Sequence, residues 1–152
     1  MLDFALRYDP MTRTCDFATA GGDIALDATP ATPMLIALGC DRRARPDDVL
    51  PDDSRPAADT LTVLGRRRGW VGDALDRLGR RIGCRLWLLA RAKQTEETRL
   101  RAIAYAEEGL GRWSEEHAIP VAVEAQWLGR NLLGLRVTAG RTMIELRQAV
   151  GG

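Results

Sequence analysis

A chain of 152 residues with 45% apolar and 28% charged side chains can bury one core without disulfides or metals. Its formal net charge of +1 gives no global case for nucleic acid or an anionic membrane. No run approaches the ~20 apolar residues of a membrane span. The Met1-Leu2-Asp3-Phe4 start lacks the basic region and apolar run of a secretory signal, so the expected setting is a bacterial cytoplasm.

At the N-terminus, Phe4, Leu6 and Tyr8 alternate with Ala5 and Arg7 until Asp9-Pro10 breaks the run. A second short run, Thr14 to Ala18, leads through Gly21-Gly22-Asp23 into Ile24 to Asp27. The pattern predicts a small, partly exposed β-hairpin or meander with weak edges. Thr32-Pro33 then offers a helix start, Thr32 as N-cap and Pro33 at the first helical position, with the helix ending around Asp41 to Arg43. Residues 44–68 carry Pro46, Pro51 and Pro56, the pairs Asp47-Asp48 and Asp52-Asp53, and the run Arg66-Arg67-Arg68. That composition predicts an extended loop, either mobile, ordered by a partner, or held by pairing of its acidic start with its basic end. Trp70, between Gly69 and Val71-Gly72, is a core or interface anchor on a turn.

From Cys84, Leu86, Leu89 and Ala90 have helical spacing, widened by Trp87 and Leu88, and predict a helix stopping near Lys93-Gln94. Thr95 is the N-cap expected for a second helix, with Glu96-Glu97 suiting its positive first turn. Leu100, Ile103, Ala104, Ala106, Leu110 and Trp113 form its expected apolar stripe, and Gly109 and Gly111 suggest close approach of a neighbour. After Pro120 the period changes to two. Val121, Val123, Ala125 and Trp127, then Leu133, Leu135 and Val137, then Ile144 and Leu146 each share one face. The expected fold is a single α+β domain over residues 1–152: a short N-terminal β-hairpin, central helices, and a C-terminal three-stranded antiparallel meander packed on the long helix.

The candidates for chemistry are weak. Cys15, Cys40 and Cys84 are odd in number and far apart and, with His117 the sole histidine, make a poor metal set; buried free thiols are the simplest reading. The four aspartates of the proline-rich loop look solvated, and nothing apolar beside them would raise a pKa. Glu124 and Glu145 fall on the polar face of the meander beside Arg136 and Arg147. His117 suits a helix C-terminus. Arg66 to Arg68, Trp70, Arg80-Arg81 and Arg85 form a basic stretch with interleaved aromatics, which keeps nucleic-acid binding as an alternative.

Gly22 to Asp27, Arg67 to Asp73, the block Ile82-Gly83-Cys84-Arg85-Leu86-Trp87-Leu88-Leu89 running on to Thr95, Val123 to Trp127 and Leu135 to Thr138 together resemble the Mu-like phage baseplate protein family. That family is similar to the small wedge protein, or sheath initiator, of contractile tails. The resemblance covers roughly residues 22–148 and rests chiefly on the block from Gly83 to Leu89 with Ala92-Lys93-Gln94-Thr95. It implies a non-enzymatic virion protein that joins larger wedge subunits to the tail sheath, needs no cofactor and is assembled in the host cytoplasm. About six copies would surround the tail axis, with tube, spike or hub proteins as further neighbours. Helix docking would use Trp70, Arg85, Trp87 and Leu88, with a place in the domain's own core an equal reading for Trp87 and Leu88. Sheath pairing by β-strand addition would use the strand from Thr142 to Gln148, with Thr142, Ile144 and Leu146, although a place inside the sheet suits that strand better than an edge. The wider group's Glu-Pro-Arg motif is missing, because Glu115 to Pro120 is not followed by arginine; its polar contact does not transfer. A nucleic-acid-binding or adaptor domain is the alternative, and a cell-wall hydrolase a disfavoured third.

Overall fold

The computed structural model describes residues 2–51 and 65–151. The chain is α+β: small N-terminal ladders, central helical segments and a C-terminal three-stranded antiparallel sheet. The N-terminal part is not one hairpin or meander. Six short strands, β1 (Asp3–Phe4), β2 (Leu6–Asp9), β3 (Thr14–Phe17), β4 (Thr19–Ala20), β5 (Asp23–Ile24) and β6 (Leu26–Asp27), pair as three separate ladders, β1 with β6, β2 with β3 and β4 with β5. They meet at three alanines bonded in a ring: Ala5 N–H donates to Ala25 O, Ala25 N–H to Ala18 O, and Ala18 N–H to Ala5 O, each at 2.8 Å. Small side chains at those three positions let three backbones approach one point.

Helix α1 (Ala31–Gly39) has Pro30, not Thr32, at its N-cap. Thr32 is buried in the first turn, where its hydroxyl donates to Phe4 O at 2.9 Å and accepts from Leu6 N–H at 3.1 Å. The hydroxyl expected to cap the helix instead ties the N-terminal arms to it. Pro33 falls at the third helical position, where the missing N–H still has no intrahelical acceptor to lose. The helix ends at Gly39, short of the expected Asp41 to Arg43, because Cys40 turns extended and the chain begins to pair with Cys84.

The segment from Cys84 is also not an α-helix. Leu86–Arg91 form a 3-10 helix, and Leu86, Trp87, Leu88 and Leu89 are all buried. An element apolar around its whole circumference has no solvent face, so it lies inside the fold. Helix α2 (Glu96–His117) starts as expected, Thr95 accepting from Thr98 N–H at 3.2 Å. Its buried face is Thr98, Ala102, Tyr105, Ala106 and Leu110, with Ile103 and Trp113 packed against the core; of the expected stripe only Leu100, 52% exposed, and Ala104 face outward. Gly109 is a close approach as expected: an added Cβ would stand 2.8 Å from Cys84 Cβ and 3.2 Å from Gly83 O. Gly111 has no such neighbour. Ala118 ends the helix in the left-handed conformation, φ 51°.

Strands β7 (Val121–Gly129), β8 (Leu132–Ala139) and β9 (Thr142–Ala149) follow in the order β7-β8-β9. Leu133, Leu135, Val137 and Ala139 of the central strand are buried and share one core with Met34, Leu38, Leu89, Ala106 and Leu110. The alternation read from the sequence holds in β7 and β9 and, apart from Gly134, which is buried under Leu128, in β8. β9 is an edge strand, not an inner one.

Candidate protein-interaction site

Of the four residues expected to dock on helices, three are inside this chain's own fold. Trp87 is buried with its Nε1–H donating to Arg42 O at 2.8 Å, and the Arg68 guanidinium lies 4.6 Å above its ring. Leu88 is in the core. Arg85 is buried, bonds both carboxylate oxygens of Asp48 through Nη1 at 2.7 and 2.9 Å, and donates from Nε to Glu108 at 2.8 Å. Its guanidinium also sits 4.6 Å from the Tyr105 ring. Only Trp70 stands at the surface, 54% exposed.

Asp48 therefore departs from the solvated reading of its loop. Partial burial pushes its pKa up, but the Arg45 N–H and the Arg85 guanidinium outweigh that and hold it below the ordinary carboxylate value. Glu108 is shifted the same way, burial being overcome by Arg85 and Arg45. The loop's ends are also tied to one another: Ala44 N–H donates to Arg67 O at 2.9 Å, Arg67 reaches the carbonyls of Arg45 and Pro46, and Arg68 pairs with Asp41 at 2.6 Å. Asp52, Asp53 and Pro56 lie outside the described residues.

At the other end of the chain the backbone itself is presented. Ala139 and Thr142 close a two-residue turn as a bonded pair, so Val137–Ile144, Leu135–Leu146 and Leu133–Gln148 are bonded pairs too. Met143, Glu145 and Arg147 consequently turn their N–H and C=O groups away from β8. Thr142, Ile144 and Leu146 are half-buried, so this strand offers neighbours its backbone and its alternate side chains. One position is already occupied. Tyr8 Oη accepts from Arg147 N–H at 3.0 Å and donates to Arg147 O at 3.3 Å, as a neighbouring strand would. By the same parity Ala125 O faces outward from β7, and Arg99 Nη1 donates to it at 3.0 Å. A groove of about 750 Å³ runs beside β9 and on across the sheet, between Leu6 and Tyr8 on one side and Glu124 to Gln126, Gly134 to Arg136 and Ile144 to Arg147 on the other.

Tyr8→Phe is expected to expose the Arg147 amide. Losing a bond worth about 1 kcal/mol should speed its hydrogen exchange roughly fivefold, while amides at Val137 and Leu135 stay protected. Unchanged exchange at Arg147 would show that Tyr8 does not guard the edge.

A family model described as phage protein GP46 matches residues 30–144. This chain belongs to that family. The match begins at the N-cap of α1 and ends within β9, so the three-armed N-terminal part lies before it. Baseplate protein gp46 of Escherichia phage Mu is similar to the chain, 44% identical over 95 residues, which is 62% of this chain and 57% of that protein. The alignment thus spans little more than half the length of the Mu protein. No solved structure matches.

Elsewhere in this GP46-family chain, the groups considered for chemistry are engaged in structure. Arg136 lies between the two sheet carboxylates, 2.9 Å from Glu145 and 3.9 Å from Glu124. His117 stacks on Trp113 at 5.0 Å, with Nδ1 2.9 Å from Trp113 O. Cys84 is buried and its Sγ–H donates to Leu38 O at 3.2 Å, and burial pushes its thiol up to about 12; Cys15, expected to be buried, is exposed. Among the described residues no group of three His, Cys, Asp or Glu could hold a metal. No described helix is long and apolar enough to cross a membrane. In the basic stretch, Arg68, Arg80 and Arg85 are ion-paired within the chain. The sequence carries no signal for Tyr8 or Arg99 as edge guards, because each acts on a strand more than twenty residues away.

Proposed function

We propose that this chain is a structural, non-enzymatic baseplate subunit of a contractile phage tail or a related particle, joining larger wedge subunits to the tail sheath. Membership of the GP46 family and the name of the Mu relative support the baseplate part. The outward-facing backbone of β9 supports the sheath part: Met143 and Glu145 can pair with an added strand, which gives affinity through main-chain hydrogen bonds and fixes register. About six copies around the axis follow from cyclic symmetry, with assembly in the host cytoplasm and residence in the virion. The engagement of Glu124, Glu145 and His117 in ion pairing and stacking is what speaks against a hydrolase.

Mass spectrometry of purified tails tests the first part: the chain is expected in intact baseplates, and its absence there would remove the proposal. Met143→Pro tests the second. Proline at that position removes an outward N–H without touching the β8–β9 ladder, so the protein should fold with little change in Tm. Tails carrying it should lack attached sheath; fully sheathed tails would exclude β9 as the pairing strand.

A further inference from the structure

The segment from Trp70 to Ile82 presents an apolar surface that the fold leaves uncovered. Val71 and Leu75 are each 83% exposed and Leu78 is 72% exposed, with Trp70 and Ile82 beside them. A groove of about 810 Å³ lies between this segment, Pro33 and Ile36 of α1, and Trp113 near the end of α2. It shares no lining residue with the groove beside β9. Apolar patches of this kind on a small protein mark interaction surfaces.

Two further observations narrow the occupant. The rim carries Arg77, Arg80, Arg81 and Arg112 against Asp73, Asp76 and Glu116. Arg80 is matched by Asp76 and Arg112 by Glu116, each at 2.5 Å. Arg77 and Arg81 have no ion-pair partner among the described residues, and neither has Asp73, so four arginines against three carboxylates leave the rim with a net charge of +1, its positive side at Arg77 and Arg81. In addition, the buried side-chain polar atoms left without a hydrogen bond among the described residues are Asp73 Oδ2 and Trp113 Nε1, and both residues line this groove. Unmet hydrogen-bonding capacity in a buried place is costly to leave so.

We infer that this groove takes an amphipathic helix of another baseplate subunit, its apolar stripe on Trp70, Leu75 and Leu78 and its acidic side chains toward Arg77 and Arg81. A trough between two helices and a loop fits a helix laid along it. The inference rests on the baseplate reading for the partner's identity, and it moves the docking surface from the buried Trp87 and Leu88 to the exposed segment that follows Gly69.

The test uses tails assembled with the full chain. A photo-cross-linking residue in place of Leu75 is expected to join an acidic amphipathic helix of a different baseplate protein, identified by peptide mass spectrometry. The same residue in place of Met11, exposed on the β2–β3 arm, should not join that helix. The double variant Leu75→Asp, Leu78→Asp removes only exposed side chains, so its Tm should match the wild type while its incorporation into tails falls about tenfold or more. Arg77→Glu with Arg81→Glu should lower incorporation in the same direction. Wild-type incorporation of the aspartate variant overturns the inference and leaves the baseplate reading standing, as does a cross-link to a sheath strand or to a second copy of this chain. If the wild-type chain is missing from tails, both fall together.

Discussion

Replacing Arg85 with alanine is expected to destabilise the protein by roughly 3 kcal/mol, because it strips the poorly hydrated Asp48 carboxylate of its guanidinium partner and leaves Glu108 with Arg45 alone as its ion pair. The Arg85 side chain is 8% exposed, Asp48 11% and Glu108 23%, so water replaces little of what the guanidinium supplies. Three elements meet at this residue: the start of the long loop through Asp48, the Cys84 block through Arg85 itself, and α2 through Glu108. For a domain of this size the loss corresponds to a fall in Tm of roughly 10 °C. A double-mutant cycle with Asp48→Ala should return a coupling energy well above that of a surface pair. Additivity of the two changes would mean that the pair is not a unit.

The same triad sets an acid limit. Asp48 and Glu108 are held below their ordinary pKa values in the fold, so their contribution is fully present above the unfolded values, near pH 4. It is lost as pH falls through the lower folded values. Urea midpoints should therefore be flat near neutrality and drop below about pH 4. Arg85→Ala should make that drop shallower, since both carboxylates lose one partner of their ionised form while Arg45 remains. An unchanged acid limb in the variant would place the pH dependence elsewhere.

Gly83→Ala is expected to cost roughly 3 kcal/mol or more, through backbone strain and collision together. Gly83 has φ +91°, and a Cβ there would strike the Cys40 carbonyl oxygen, with Cys40 C at 2.8 Å and Arg42 N at 2.9 Å. These are main-chain atoms and cannot step aside as a side-chain tip can. They also belong to the junction that joins the end of α1 to the Cys84 block, where Cys84 N–H donates to Cys40 O at 3.0 Å and Arg42 N–H to Cys84 O at 2.9 Å. Gly111→Ala is the internal control. It lies within α2 with nothing within 4 Å of an added Cβ, so alanine should stabilise by up to about 1 kcal/mol. Thermal melts of the two variants should move in opposite directions, and a destabilised Gly111→Ala would undo this account of the helix.

Both effects sit in the block that carried the family resemblance, and that block does its work inside the molecule. At Trp87 and Leu88 the sequence is compatible with either a partner contact or the core, because an aromatic beside leucines looks the same whether its neighbour is another chain or its own. Trp70 shows the converse: it was open to a core role and stands half in water. Burial is a property of what folds over a residue, and nothing local to either tryptophan records it.

The period-two pattern after Pro120, the Thr95 cap and the acidic first turn of α2 were legible because each depends on residues within a few positions of one another. Alternation must match the pleat wherever one face is buried, so the β7–β8–β9 sheet and its inner face followed from the amino acids alone, as did membership of an α+β class. Family resemblance was legible for the same reason, since a run of residues is read along the chain. Tertiary structure alone decided the rest. It turned the Cys84 helix into a buried 3-10 segment, split the N-terminal strands into three ladders around Ala5, Ala18 and Ala25, and set β9 at an edge with Tyr8 against it. It also left Val71, Leu75 and Leu78 uncovered. Each of those outcomes depends on contacts between segments far apart in sequence, where strand order, edge position and exposure are settled by which surfaces pack together.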